Sequence, residues 1–397
     1  MAVGNQFVID GDGHVVEHPL ELLGEHLEKK YRDRAFFIQD GNGTETLVLD
    51  EIRIVMTSPD KPFNAGDALT PMGIRPGRTA NRKVLDAHPG GFNAKARLEV
   101  HDAEGVDAAV LFPTLANCVA GLRDPLFSAA MCRAVNRWLA AYASYAPDEL
   151  YPIAAVPVQH GELAADVLRE AVREQGFIGA AFRANVRPDG RTVADRSLEV
   201  LWSTAQDLGV PICIHNADYQ GDDNLTQPGS DWVQTRMMHH AILHPFMGML
   251  AFASMYEAGI FERYPKLKIG YMESNCGWAP FWLDRLDEHL EIMGWMTGKD
   301  FKREPTEVFK DQCVVGCETE EPMIPYVLGR LGDDKVIWAS DFPHYDAHVP
   351  GLTAELFERE DITDAMRDGI LRRSSIRFYG LDEQRIRNAL ARRRKAA

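Results

Sequence analysis

With 397 residues, 45% hydrophobic and 26% charged, the chain has an ordinary globular composition and is long enough for one large core or two smaller ones. Its formal net charge of -16 repels polyanions, so no nucleic-acid partner is expected. No apolar run of roughly 18 residues occurs and Met1 to Asp10 has no signal-peptide pattern, so no membrane partner is expected, while six cysteines without a C-x-x-C pair fit a reduced, cytoplasmic protein.

In chain order, the first apolar run (about 7–12) leads into Asp10-Gly11-Asp12-Gly13-His14. Residues about 25–100 then break the pattern, being rich in Gly, Pro, Asn and Asp, as over 57–78. They read as a long insertion over one mouth of the fold, a lid, with plain surface decoration as the alternative. Further short apolar runs follow at about 106–112, 151–158, 177–182, 210–214, 267–273, 312–316 and 335–341. Helical periodicity fills the gaps at about 125–146, 160–175, 195–208, 239–263, 277–293, 320–331 and 361–372. Nearly continuous apolar runs indicate parallel strands buried on both faces, and eight of them alternating with helices predict a (β/α)8 TIM barrel of the α/β class. An open doubly wound sheet is the runner-up, but no G-x-G-x-x-G opens a helix after the first strand. The barrel is expected as a single domain over 1–380, with 25–100 inserted within it. Residues 381–397, with Arg385, Arg387, Arg392, Arg393, Arg394 and Lys395, read as a solvated basic tail rather than a nucleic-acid arm.

Polar side chains stand at strand ends where a core would not want them. Asp12 and His14 are two apart, so in extended chain they point to one side. The fifth strand ends at His215-Asn216 and the eighth at Ser340-Asp341. Taken singly, Asp10, Asp12 or Asp341 could cap a turn or helix, and His215 could be a satisfied core histidine. Taken jointly, metal-type ligands at three C-terminal strand ends suggest a metal site, where barrels of this kind assemble their chemistry.

The stretches Asp10–Glu17, 259–285 (GIFERYPKLKIGYMESNCGWAPFWLDR) and 340–346 (SDFPHYD) resemble the amidohydrolase superfamily. The similarity is to the branch containing aminocarboxymuconate semialdehyde decarboxylase, the resorcylate decarboxylases and many uncharacterised hydrolases. The resemblance implies a barrel, a divalent metal and often a homodimer. By position it places metal ligands on Asp12, His14, His215 and Asp341, the last also a proton shuttle. Two departures stand out. The sixth strand ends in Glu273 where better-known members have histidine, and the fourth carries Arg183 where two-metal members have lysine. Asp12, Asp341 and Glu273 around one dication are an excess of negative charge, which calls for a protonated Glu273, a nearby Arg or a second metal. Glu273 is therefore a candidate metal ligand or base, and Arg183 a candidate to hold a substrate carboxylate or balance Glu273. His244, beginning His244-Pro245-Phe246 at the start of a Met-rich helix, is a candidate base or second-site ligand, with capping or packing as the alternative. Asn216 and Glu17 are candidates to orient ligands, Asn216 also to bind substrate.

Mixed oxygen and nitrogen ligands suit Zn, Mn or Fe, one or two ions per chain. Two reactions on a small-molecule substrate compete. One is hydrolysis by a metal-activated water of an ester, thioester (acyl-CoA included) or amide of a small organic acid. The other is non-oxidative decarboxylation of an aromatic or unsaturated acid. The missing sixth-strand histidine favours hydrolysis. A barrel that binds ligand without turnover is a third reading, against which the intact ligand set speaks.

Overall fold

Side chains along the parallel strands alternate between two cores. The computed structural model describes residues 6–61, 63–74, 82–184, 189–216 and 229–396; residues 62 and 75–78 of the turn-rich stretch lie outside them. The strands are β1 (Ile9–Val15), β2 (Ala35–Gln39), β3 (Glu45–Leu49), β4 (Ile52–Thr57), β5 (Ala108–Pro113), β6 (Leu150–Pro152), β7 (Ala154–Ala155), β8 (Ala180–Phe182), β9 (Ile212–His215), β10 (Ile269–Met272), β11 (Cys313–Cys317) and β12 (Val336–Trp338). Ile9, Val110, Phe112, Ile153, Ala181, Cys213, Met272, Val314 and Ile337 pack together from different strands as the barrel interior. Their neighbours Leu111, Ile214, Tyr271, Val315 and Trp338 face the helices. Period-two burial on both faces is what made these runs read as continuous apolar segments.

The parallel ladders run β1-β5-β6 and β7-β8-β9-β10-β11-β12. β6 and β7 are halves of one barrel strand, broken at Ile153, with β6 pairing β5 and β7 pairing β8. The end of the eighth barrel strand meets β1 through Asp341 N donating to Asp12 O (3.2 Å) and Ser340 N to Asp10 Oδ1 (3.0 Å). The (β/α)8 architecture read from the sequence is present.

Three local expectations change. The insertion carries the antiparallel sheet β2-β3-β4, which the turn-rich composition of 57–78 had overshadowed. The C-terminal stretch is not a solvated tail. It forms the helix Glu383–Ala396, which buries Ile386 and Leu390 against Ile9 and Phe378. Its arginines face acids of the barrel, Arg393 pairing Glu149 (2.8 Å) and Asp102, and Arg392 pairing Asp148 (3.2 Å). Amphipathic spacing of Ile386 and Leu390, four apart, overrode the charge run. His244 does not start its helix, which spans Arg236–Glu257 with Pro245 inside it.

Candidate metal centre and active-site cavity

β1 is irregular where its polar residues lie. Its register against β5 shifts between Asp10 and Gly13, a bulge that re-aims the side chains around it. A Cβ on Gly13 would collide with the Asp10 carboxylate and the Arg97 guanidinium, so only glycine admits this close approach. Asp10 turns to the eighth strand, accepting from Ser340 N (3.0 Å) and Ser340 Oγ (2.6 Å). Burial, opposed by Arg97 and Ser340, lifts its pKa to about 6.

Asp12 and His14, both buried, converge with His215 from the end of β9. His14 Nε2 lies 3.0 Å from His215 Nε2 and 3.3 Å from Asp341 Oδ1. Asp12 Oδ1 lies 3.5 Å from His215 Nε2 and 3.8 Å from His14 Nε2. Tetrahedral ligands about 2.1 Å from one ion stand about 3.4 Å apart, so the separations among Asp12, His14 and His215 suit a common divalent ion, while Asp341 is grouped with His14 and His344. Two further observations agree. Asp12 Oδ1 is buried without a hydrogen-bond partner, and burial holds His14 well below the ordinary histidine pKa, as the neutral ligand form. The ring of His14 is oriented through Nδ1, 3.1 Å from Thr114 Oγ1, and that of His215 through Nδ1, 2.9 Å from Asn216 O.

Glu273 stands apart from this group. Its Oε2 is 3.3 Å from His215 Nδ1, the nitrogen turned away from Asp12, and its Oε1 is 3.4 Å from His244 Nδ1. It lies behind His215, between two imidazoles, and is grouped with His240 and His244 rather than with Asp12, His14 and His215. Burial, then Asp341 and Asp346, raise its pKa well above the carboxylate range. Burial likewise raises Asp341 and Asp346, and takes Glu318 to about 8. Four acids this close need protons or cations. Among the described residues five non-glycine residues have positive φ, and two are Glu273 (47°) and Asp341 (52°). Left-handed backbone costs about 1–2 kcal/mol per residue, a strain that aims both carboxylates at the site.

The remaining sequence candidates are divided. His244 is buried but reaches the cavity wall beside Glu273. Asn216 is fully buried, does not line the main cavity, and donates from Nδ2 to His244 O (2.7 Å), tying that helix to β9. Arg183 lines a small side chamber with Phe112, Ala181 and His215, away from Glu273's cavity face. Glu17 accepts from the backbone of Thr114, Leu115 and Ala116 and so shapes the loop after β5.

Sequence reasoning missed several participants. His344 stands with Nδ1 2.9 Å from Asp341 Oδ2 and Nε2 3.0 Å from Thr114 Oγ1, linking two strand ends. Its place three residues after Asp341 was a readable signal. Thr114 shares the inward parity of Val110 and Phe112, another. Arg97, fully buried on the helix Ala94–Glu104, donates to His14 O and Phe342 O and lies 3.7 Å from Asp10 Oδ2. Its one local signal was His101, four residues on, which accepts from Arg97 Nε at 3.1 Å.

A cavity of about 450 Å³ opens over these groups. Its floor holds Glu273, Asp341, His344 and His244, and the insertion supplies Ile54, Val55, Met56, Phe63 and Leu69. Lys61 and Arg236 also line it, with Arg236 over the Phe63 ring at 5.0 Å. Burial and the Arg236 charge depress the Lys61 pKa. The size suits a small organic molecule. Among the described residues no helix is long and apolar enough to cross a membrane.

Residues 9–381 match the family described as "Amidohydrolase". The 2-amino-3-carboxymuconate-6-semialdehyde decarboxylase of Dictyostelium discoideum is 23% identical over 294 residues, 73% of this chain and 77% of that one. An amidohydrolase structure from Mycobacterium avium subsp. paratuberculosis superposes with TM-score 0.77 at 22% identity, covering 95% of this chain and 100% of the other. A dihydroxybenzoic acid decarboxylase structure from Polaromonas sp. JS666, with bound manganese and 2-nitroresorcinol, gives TM-score 0.64 at 19% identity, covering 96% and 99%. The preference for hydrolysis is overturned here: curated relatives aligned along about 70% of the chain are described as decarboxylases. The argument from a missing histidine failed because it weighed one strand end alone, without the groups that other elements bring beside it.

Proposed function

The chain belongs to the amidohydrolase family, and from that premise we propose that it is a metal-dependent, non-oxidative decarboxylase of a small aromatic or unsaturated acid. One observation carries the reading: Glu273, at the end of the sixth barrel strand, faces the cavity beside the ligand group with an imidazole at its back. A protonatable side chain therefore stands where the histidine was missing.

Asp12, His14, His215 and Asp341 would hold the divalent metal. Bound there, such an ion supplies a Lewis-acid anchor for a substrate carboxylate and a neighbouring oxygen. The manganese of the Polaromonas enzyme supports this choice of cofactor. The insertion's apolar side chains would cover a flat ring, and Lys61 and Arg236 would draw an acid into a cavity whose floor is acidic. Glu273, sharing its proton with His244, would protonate the ring carbon that bears the carboxylate. The bond from that carbon to the carboxylate then breaks, carbon dioxide leaves, and the bonding electron pair returns to the ring. Net, one proton is consumed for each carbon dioxide released. Asp341 and His344, 2.9 Å apart, form a second proton-holding pair on the same floor.

A second copy of the chain is the proposed partner. The exposed apolar side chains Phe281, Ile292, Trp295 and Met296 lie along and just beyond one helix and support a homodimer contact, which light scattering of wild type and Trp295→Glu would check.

The test of the reaction is direct. Manganese- or zinc-loaded enzyme is incubated with hydroxybenzoic acids and with unsaturated amino-carboxy semialdehydes, and carbon dioxide is followed. Release from at least one class, abolished by His215→Ala, is the expected result. No release from either class by fully metallated, folded enzyme would refute it.

A further inference from the structure

Beside the Asp12, His14, His215 and Asp341 group lies a second cluster with ligand chemistry. His240 and His244 are four apart on the helix Arg236–Glu257 and so present their rings on one face. Their ring centroids are 4.2 Å apart, tilted by 31°. Glu273 arrives from the end of β10, with Oε1 3.4 Å from His244 Nδ1. One ligand atom from each of the three residues lies within 4.8 Å of the others.

On His244 it is Nδ1 that faces Glu273 Oε1, on a ring that is buried and yet borders the cavity. All three residues line the cavity, so an ion has a path to them. The helix that carries the histidines is held to the barrel by Asn216 Nδ2 donating to His244 O at 2.7 Å. The two imidazoles are thus fixed relative to the strand end that carries the carboxylate.

We propose that His240, His244 and Glu273 form a second divalent metal site, distinct from the Asp12, His14, His215 and Asp341 set. Two imidazoles and a carboxylate are a zinc-type ligand set, and with three protein ligands a fourth position stays open toward the cavity. The 3.4 Å between His244 Nδ1 and Glu273 Oε1 equals the edge of about 3.4 Å that tetrahedral ligands near 2.1 Å from one ion define. The two sites touch through Glu273, whose other oxygen is 3.3 Å from His215 Nδ1. One consequence rests on the proposed reaction: a Glu273 carboxylate engaged by a metal cannot hold the proton for the ring. Excess zinc then inhibits.

Metal counting tests the site without reference to turnover. Chelator-treated full-length protein is titrated with cobalt(II), followed by its visible spectrum, and with zinc(II), counted by mass spectrometry after gel filtration. Wild type should take up two equivalents. His240→Ala should take up one, and His14→Ala should lose the other. Circular dichroism of each variant verifies the fold. Saturation of wild type at one equivalent, or two equivalents retained by His240→Ala, overturns the proposal. Inhibition is read separately, as the rate at a tenfold excess of zinc relative to one equivalent, in wild type and in His240→Ala. Wild-type inhibition lost in the variant supports the link to Glu273. Two equivalents without inhibition would keep the site and refute the proton role of Glu273.

Discussion

Arg97→Met removes a buried guanidinium while keeping an apolar stem of similar length. In the native protein this group donates to His14 O and, at 3.4 Å, to Phe342 O, and faces the Asp10 carboxylate at 3.7 Å. It is fully buried, so water cannot take its place. A hydrogen bond from a charged donor contributes about 1.5–3 kcal/mol, and stripping one partner from a buried charge pair costs about 3–5 kcal/mol. These overlap rather than add, so a loss of about 3–5 kcal/mol is expected. At about 2.1 cal/mol/K per residue the unfolding entropy of a chain this size is about 0.8 kcal/mol/K, which converts the loss to a fall in Tm of about 4–6 °C. The assay is calorimetry of metal-free protein, with metal affinity measured alongside, because His14 O and Phe342 O belong to the two strand ends that carry His14 and Asp341. Arg97→Lys, which cannot serve two carbonyls and a carboxylate at once, should fall between. A Met variant within about 1 °C of wild type, with metal affinity unchanged, would refute the bracing role.

Glu273→Gln keeps the shape and removes the proton, so kcat for decarboxylation should fall by about 100-fold or more while the Asp12-His14-His215-Asp341 site keeps its ion; stopped-flow rates with metal counts check this. Lys61→Met should raise KM for an acid substrate by about tenfold with little change in kcat, since one charge of the cavity wall is lost and the floor is untouched. Arg372 joins Asp368 (2.7 Å) to Glu383 (2.8 Å) at the start of the C-terminal helix, and both carboxyl pKa values lie below their ordinary 3.8 and 4.5. Depressed carboxyls stabilise above the unfolded pKa and lose that contribution as pH falls through the folded one. Hydrogen-exchange protection of residues 383–396 should therefore be flat from neutral pH down to about 5 and decline below about 4, a decline that Arg372→Ala reduces but does not remove, because Arg387 also pairs Glu383 (2.7 Å).

The barrel was legible in the chain because burial on both faces of a parallel strand writes itself as short, nearly continuous apolar runs. Period two along β5, β8 and β9 also places Thr114, Arg183 and His215 one step above the inward layer of Phe112, Ala181 and Cys213. Asp12 and His14 could be paired from spacing alone, since extended chain puts residues two apart on one side. What the sequence could not state is which groups from distant elements share a space. Glu273 read as a metal ligand or a base, with nothing to decide between them; the fold sets it behind His215 and against His244, from a helix whose start was misplaced. Arg97 has one local partner, His101 four residues on, but the main-chain carbonyls it braces lie 83 and 245 positions away. The C-terminal charge run read as solvated because its acids, Asp102, Asp148 and Glu149, lie 237 to 291 positions earlier in the chain. Spacing reports the periodicity of an element with itself. Electrostatic partners and proton paths depend on distances between elements, and those exist only once the barrel has closed.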